Sequence, residues 1–232
     1  MSATALGLIA TAACLAALAL LVAAEVRRDR AARMRWKPLA SIAFVAIPLV
    51  TGALGGDGRD AEVARWIAAG LVLGAVGDVL LMFEAERAFL GGLVAFLLGH
   101  LAYVVAFARL VPPGRWIEGG MIAVVIAAAL AAAIVLRWLW PRLGAMRVPV
   151  IGYVAVISAM VVGGVAVTAT APGAAPTAAL LATTGAIAFY LSDLAVARER
   201  FVGKDVWNRA IGLPLYYGAQ LLIAWSVTPS VA

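Results

Sequence analysis

Two aspartates interrupt long apolar stretches of this sequence. Asp78 follows WIAAGLVLGAVG, and Asp193 closes the apolar segment that contains FYLSD. An ionised carboxylate in hydrocarbon costs about 2.5 to 3.5 kcal/mol on insertion scales, so it persists mainly where a partner or a water-filled cavity receives it. We therefore predict that both aspartates are functional. The structural alternatives are a carboxylate reaching the membrane interface for Asp78 and a helix-end role for Asp193.

Two carboxyl groups in one low-dielectric pocket do not both ionise readily, so one can hold a proton while the other stays charged. Such a pair can supply an acid and a base to a reaction. The same pair would suit a proton-coupled transporter, in which the aspartates load and release protons. The two positions alone do not discriminate between an enzyme and a carrier.

The single histidine, His100, lies in GHLAY, with Tyr103 three residues later on the same helix face. A structural hydrogen bond between helices is the alternative to a functional role. A zinc site formed with Asp78 and Asp193 is disfavoured, because catalytic zinc usually takes more than one His. We predict no metal and no cofactor.

Further hydrogen-bonding side chains lie in the same apolar segments. Tyr216 and Gln220 are four residues apart and share a helix face, and Tyr190 lies one turn before Asp193. Lys37, directly before Pro38, either holds an anionic headgroup or only sets topology. The predicted substrate-binding residues are Lys37, His100, Tyr103, Tyr190, Asn208, Tyr216, Tyr217 and Gln220.

The composition requires a membrane protein. Hydrophobic residues make up 65% of the 232 residues, charged residues only 13%, and the mean hydropathy is +1.04, which excludes a soluble globular domain. The basic residues behind the net charge of +6 lie between apolar runs, where they meet anionic lipid rather than nucleic acid. The lone Cys14 excludes a disulfide framework.

Apolar segments of about 20 residues, the length that spans a bilayer, predict an all-α polytopic membrane protein. The segments lie at roughly 3–24, 38–54, 65–83, 89–108, 118–138, 148–170, 177–197 and 209–228. We predict eight transmembrane helices in a single domain, 1–232, with a possible 4+4 internal repeat that relates Asp78 to Asp193. The first segment is expected to be an uncleaved helix. GGDGRDAE at 55–62, PPG at 112–114 and APGAAP at 171–176 are typical of loops.

Charge asymmetry predicts the orientation. Of the 18 Lys and Arg residues, 14 lie in 25–37, 84–88, 137–147 and 198–209. The positive-inside rule places these segments in the cytoplasm and both termini outside. Asp78 and Asp193 then lie near the cytoplasmic ends of their helices. We expect the site to open to the cytoplasmic side of a bacterial inner membrane.

Five motifs together resemble the YhhN family of integral membrane proteins, whose mammalian members are lysoplasmalogenases. They are KP at 37–38, GD at 77–78, GHLAY at 99–103, FYLSD at 189–193 and YYGAQ at 216–220. The resemblance implies a lysolipid substrate drawn from the membrane. It also implies hydrolysis of the vinyl ether bond of lysoplasmalogens to a fatty aldehyde and a glycerophospho-headgroup, without an obligatory metal.

The chemistry of an alkenyl ether suits the two aspartates. Cleavage begins with proton transfer to the β-carbon, which forms an oxocarbenium ion that water captures. Glycosidases meet a related demand with one protonated and one ionised carboxyl group. By this analogy Asp78 and Asp193 are the catalytic acid and base, in either order. The bias towards Ala, Arg and Val is typical of bacteria, many of which are not expected to make plasmalogens, so another lysolipid or ether substrate stays open.

Overall fold

The computed structural model describes residues 1–170 and 176–230. Within these ranges the chain forms eight α-helices and no strand, which confirms the all-α class. The helices are α1 (Ala3–Val26), α2 (Arg30–Val50), α3 (Arg59–Leu80), α4 (Glu86–Leu110), α5 (Met121–Leu139), α6 (Arg147–Thr170), α7 (Pro176–Ala197) and α8 (Val206–Trp225).

Six of these helices, all but α2 and α8, are long and apolar enough to cross a membrane. The chain is therefore a multi-pass membrane protein. The crossing of α2 and α8, the single domain and the 4+4 repeat stay predictions. Of the predicted APGAAP loop, 171–175 lie outside the described residues, and Pro176 is the first residue of α7.

Helix α2 begins earlier than its apolar segment predicts. The Asp29 carboxylate accepts a hydrogen bond from the Ala32 N–H and caps the helix, so α2 starts at Arg30 and not at 38. Pro38 consequently lies inside the helix, and the prediction that it stands at the start is wrong. Hydropathy marks only the apolar part of a helix, whereas the preceding RAARMRWK consists largely of strong helix formers.

Seven of the helices form a closed ring. α1, α2, α3, α4, α6, α7 and α8 each pack against the next, and α8 packs back against α1 as well as against α2 and α3. α5 lies outside the ring and packs mainly against α6. Its outer face exposes Ile122, Ile126, Leu130 and Ile134, a spacing of four residues that presents one apolar stripe to lipid.

Two glycines let the ring helices approach closely beside the buried polar groups. A Cβ on Gly74 of α3 would lie 2.3 Å from Gln220 Nε2 and 3.2 Å from the Tyr216 hydroxyl, both on α8. A Cβ on Gly70, one turn earlier, would lie 2.2 Å from the ring of Tyr103 on α4. The absence of side chains at these positions therefore sets the distance from α3 to α4 and α8.

Candidate active site

A cavity of about 360 Å³ opens at one end of the bundle. Its walls come from the C-terminal ends of α1, α3, α5 and α7 and from the N-terminal halves of α2, α4, α6 and α8. Asp78 and Asp193 both line it. The fold therefore brings the two predicted acids, which are far apart in the sequence, to one enclosed space.

Asp78 is surrounded by groups that stabilise a carboxylate. Its side chain is 3% exposed, and Oδ1 lies 3.2 Å from Lys37 Nζ. The Ser41 hydroxyl donates to Oδ2 at 2.7 Å, and the Tyr217 hydroxyl lies 3.4 Å from the same oxygen. Lys37 and Ser41 are four residues apart on α2 and so share the face that meets Asp78. One cation and two hydroxyls thus hold this carboxylate in place.

Asp193 has a different environment. The Tyr153 hydroxyl donates to Oδ2 at 2.6 Å, and the side chain is 17% exposed. His100 Nε2 lies 3.9 Å from the same oxygen, which is beyond hydrogen-bond length. Among the described residues, no cation stands within hydrogen-bond distance of Asp193, in contrast to Asp78.

His100 lies behind the cavity wall rather than in it. Its ring packs edge-on against Phe189, with centroids 4.5 Å apart, and against Tyr153, at 5.3 Å. Neither ring nitrogen has a hydrogen-bond partner within 1–170 and 176–230. His100 therefore does not line the cavity, and a role in substrate binding would be indirect.

A buried hydrogen-bond chain links α4 to α8 deeper in the bundle. The Tyr103 hydroxyl donates to Gln220 Oε1 at 2.7 Å, and Gln220 Nε2 donates to the Tyr216 hydroxyl at 3.1 Å. Tyr103 and Gln220 are almost completely buried, whereas Tyr216 reaches the cavity. The chain fixes the Tyr216 side chain at the cavity wall.

A charged network surrounds the mouth of the cavity. Arg209 contacts Glu25 at 2.8 Å and Glu199 at 2.9 Å, and Arg33 contacts Glu25 at 3.4 Å. Asn208 donates to Glu199 at 3.0 Å and accepts a hydrogen bond from Arg198. These contacts tie α1 and α2 to α8 and, through Glu199, to the segment between α7 and α8, and they occupy the amide group of Asn208.

The predicted site residues fall into two groups. Those that line the cavity are Lys37, Asp78, Tyr190, Asp193, Asn208 and Tyr216. Those behind its wall are His100, Tyr103, Tyr217 and Gln220. Ser41 and Tyr153, the hydroxyl groups that contact the two acids, are not among the residues predicted from the sequence. Ser41 could have been predicted, because it lies one helical turn after Lys37 and so shares its face. Nothing in the sequence around Tyr153 indicates that this side chain faces α7.

No group of three His, Cys, Asp or Glu side chains in the described part of the chain is close enough to hold a metal ion. At the site, His100 and Asp193 are two such side chains that lie close together, and they are only a pair. The side chains around the two acids are otherwise hydroxyls and a lysine, which are donors to a carboxylate rather than ligands of a metal.

Comparisons with known proteins identify relatives that share one name. Proteins named Lysoplasmalogenase from Mycobacterium bovis and Mycobacterium tuberculosis are each 36% identical to the chain over 168 residues, which cover 68% of this chain and 59% of theirs. Lysoplasmalogenase TMEM86A from Bos taurus is 33% identical over 168 residues, which cover 72% of this chain and 67% of that protein. These names are those of enzymes and give no support to the transporter alternative.

The match spans about three fifths of the length of the mycobacterial relatives, as the 59% coverage states. No solved structure matches the chain. The model of the YhhN family matches residues 32–227 and so includes every helix that lines the cavity except α1 and the first residues of α2. From this match, the chain belongs to the YhhN family of membrane proteins.

Proposed function

We propose that this protein hydrolyses the vinyl ether bond of lysoplasmalogen-type lysolipids to a fatty aldehyde and a glycerophospho-headgroup. The observation that carries the proposal is the unequal environment of two carboxyl groups in one cavity, Asp78 beside a lysine and Asp193 beside a tyrosine. The similarity to proteins named lysoplasmalogenase supplies the substrate class.

Asp193 is the general acid in this proposal. A carboxyl group beside apolar rings, with no cation at hydrogen-bond distance among the described residues, is less costly to hold protonated than charged. The Tyr153 hydroxyl occupies Oδ2, which leaves Oδ1 to carry the transferable proton. His100 Nε2 lies 3.9 Å from the same oxygen and outside the cavity lining, so His100 does not contact the substrate in this proposal.

Asp78 is the fixed anion. Its contact with Lys37 and the hydrogen bond from Ser41 keep it ionised. An oxocarbenium ion carries positive charge, so a preorganised carboxylate in the same cavity stabilises it electrostatically. Removing the charge of Asp78 would therefore raise the barrier without removing the acid.

The proposed reaction consumes one water. Asp193 gives its proton to the β-carbon of the alkenyl chain, and the electrons of the double bond form the new C–H bond. Water then adds to the α-carbon of the cation and loses a proton to the Asp193 carboxylate. The hemiacetal collapses as its hydroxyl proton is lost and the glycerol oxygen is protonated. The products are the aldehyde and the free glycerol hydroxyl, and Asp193 is protonated again.

The lining of the cavity fits a single-chain lipid. Apolar side chains from three helices, α4, α5 and α6, cover the wall beside the two acids, namely Phe89, Leu93, Phe96, Val135, Val154 and Ile157. Charged side chains lie at the mouth. An alkenyl chain among the apolar groups would place the polar headgroup at the mouth and the ether bond between them.

We also propose that α2 and α8 cross the membrane, that both termini are extracytoplasmic and that the cavity opens to the cytoplasmic side of a bacterial inner membrane. Support comes from the cavity mouth, which is formed by segments that hold most of the basic residues. A C-terminal reporter that is active only in the cytoplasm should stay silent. Strong reporter activity would reverse the orientation.

The decisive experiment offers the purified protein three lysolipids with the same headgroup and chain length. One has a vinyl ether, one a saturated ether and one an ester. Mass spectrometry should detect aldehyde from the vinyl ether alone, because only an alkene accepts a proton on carbon to form the oxocarbenium ion. Release of fatty acid from the ester, or no product from any of the three, would refute the proposal.

A further inference from the structure

The mouth of the cavity carries more positive than negative charge. Its basic lining residues, apart from Lys37 beside Asp78, are Arg30, Arg33, Arg200, Lys204 and Arg209, and its acidic ones are Glu25, Glu84 and Glu199. This excess of basic residues surrounds the opening through which a ligand reaches Asp78 and Asp193.

Two of the acids at the mouth, Glu25 and Glu199, already form ion pairs with arginines of the mouth. Glu25 is shared by Arg33 and Arg209. Glu199 accepts hydrogen bonds from Arg209, the Asn208 amide and the Asp205 N–H. Two guanidinium groups therefore share the one carboxylate of Glu25, and Glu199 is held by three donors.

Apart from Arg200, whose guanidinium packs over the Phe89 ring, three basic groups keep unused donors. Arg33 Nε is buried and has no hydrogen-bond partner in the described part of the chain. Arg30 and Lys204 are exposed at the mouth and form no ion pair with any described residue. A buried donor without an acceptor costs free energy, so an acceptor that enters from the cavity would relieve the cost at Arg33.

We infer that Arg33, Arg30 and Lys204 form a binding site for the phosphodiester of a single-chain phospholipid headgroup. A phosphodiester offers a single negative charge and several acceptor oxygens, and a guanidinium edge with a free Nε–H matches it. This assignment rests on the proposed function for the identity of the lipid. It predicts that the headgroup is selected through its phosphate, at the mouth, and apart from the two acids that act on the ether.

The test measures binding, so that it does not depend on hydrolysis. The purified protein in detergent receives a saturated 1-O-alkyl lysophospholipid, which has no vinyl ether to cleave, or the matching 1-O-alkylglycerol, which lacks the phosphate. The wild type should bind the phospholipid at least about tenfold more tightly, as expected for a charge-assisted hydrogen bond to a charged group. Equal affinity for the two ligands would overturn the inference.

Variants locate the site. Arg33→Gln, and separately Arg30→Gln with Lys204→Gln, should reduce the tenfold preference towards none while leaving the affinity for alkylglycerol unchanged. The matched control is Arg27→Gln with Arg35→Gln, which removes the same charge from exposed positions of the same segment outside the cavity lining, and it should keep the preference. If the control loses the preference equally, the effect is one of net charge and the site is wrong.

Two further outcomes separate the sources of phosphate and the two proposals. Inorganic phosphate should compete with the phospholipid only weakly; competition as strong as that of the lipid itself would identify a free-phosphate site and overturn the headgroup assignment. If Arg33→Gln fails to fold, the variant with Arg30→Gln and Lys204→Gln still tests whether the preference for the phospholipid depends on this site. Phosphate-dependent binding without aldehyde formation in any assay would refute the hydrolase but not this site.

Discussion

Lys37 Nζ lies 3.2 Å from Asp78 Oδ1, in a pair whose side chains are 14% and 3% exposed. The two charges compensate each other inside the bundle, so neither can be removed alone at low cost. Because Asp78 has a lysine beside it and Asp193 does not, Asp78 is proposed as the fixed anion and Asp193 as the general acid.

Replacing Lys37 alone should therefore destabilise the protein. Lys37→Met leaves Asp78 as an uncompensated buried charge, and we expect a loss of about 3 to 5 kcal/mol in the free energy of unfolding. Adding Asp78→Asn should restore part of that loss. Denaturation of both variants in detergent measures the change, with the exposed Arg35→Met as the control. A Lys37→Met protein as stable as the wild type would mean that Asp78 is not ionised.

The two aspartates should behave as one catalytic unit. Asp78→Asn and Asp193→Asn keep side-chain volume and remove the ionisable group, so each should lower turnover about 10²- to 10⁴-fold. The double variant should be scarcely worse than either single variant, because both groups act on the same transition state and the effects of residues that act as a unit are not additive. Binding of the uncleavable alkyl lysophospholipid should persist in all three. Turnover above about a tenth of wild type in either single variant would make that residue structural.

Isotopes from water should show which bonds form and which C–O bond breaks. In D₂O the fatty aldehyde should carry one deuterium on the carbon next to the carbonyl, because the proton from Asp193 exchanges with solvent before it reaches the β-carbon. In H₂¹⁸O the label should enter the aldehyde, trapped by rapid reduction, and not the glycerol hydroxyl. Aldehyde incubated with the protein in D₂O corrects for exchange after release. Label in the glycerol hydroxyl would mean that the other C–O bond is broken.

Gly74 should tolerate no side chain. Gly74→Ala places a methyl group 2.3 Å from Gln220 Nε2 and 3.2 Å from the Tyr216 hydroxyl, so the Gln220 amide must move and its hydrogen bond to Tyr216 is disturbed. We expect a loss of about 1 to 3 kcal/mol in stability, as in other overpacked interiors, together with lower turnover. Gly152→Ala is the matched control, since a Cβ there meets open space. Equal behaviour of the two variants would exclude close packing at Gly74.

The sequence allowed prediction of the residues that are out of place in an apolar helix. Asp78 and Asp193 were predicted because a carboxylate there requires an explanation, and both line the cavity. Ser41 and Tyr153 were missed, because hydroxyl groups are tolerated in membrane helices and become informative only when their neighbours are known. The contact between Tyr153 and Asp193 depends on α6 packing directly against α7 while α5 lies outside the ring. Hydropathy predicts the number of apolar segments but not which of them are neighbours.

The order of the contacts along the chain has a consequence for how the protein is made. Lys37 and Ser41 precede Asp78, and His100 and Tyr153 precede Asp193. Apart from Tyr217, which contacts Asp78 from α8, a ribosome therefore synthesises these partners before the aspartate itself. Since an uncompensated charge is costly in hydrocarbon, each acid can enter the bilayer when Lys37 and Ser41, or His100 and Tyr153, are already there.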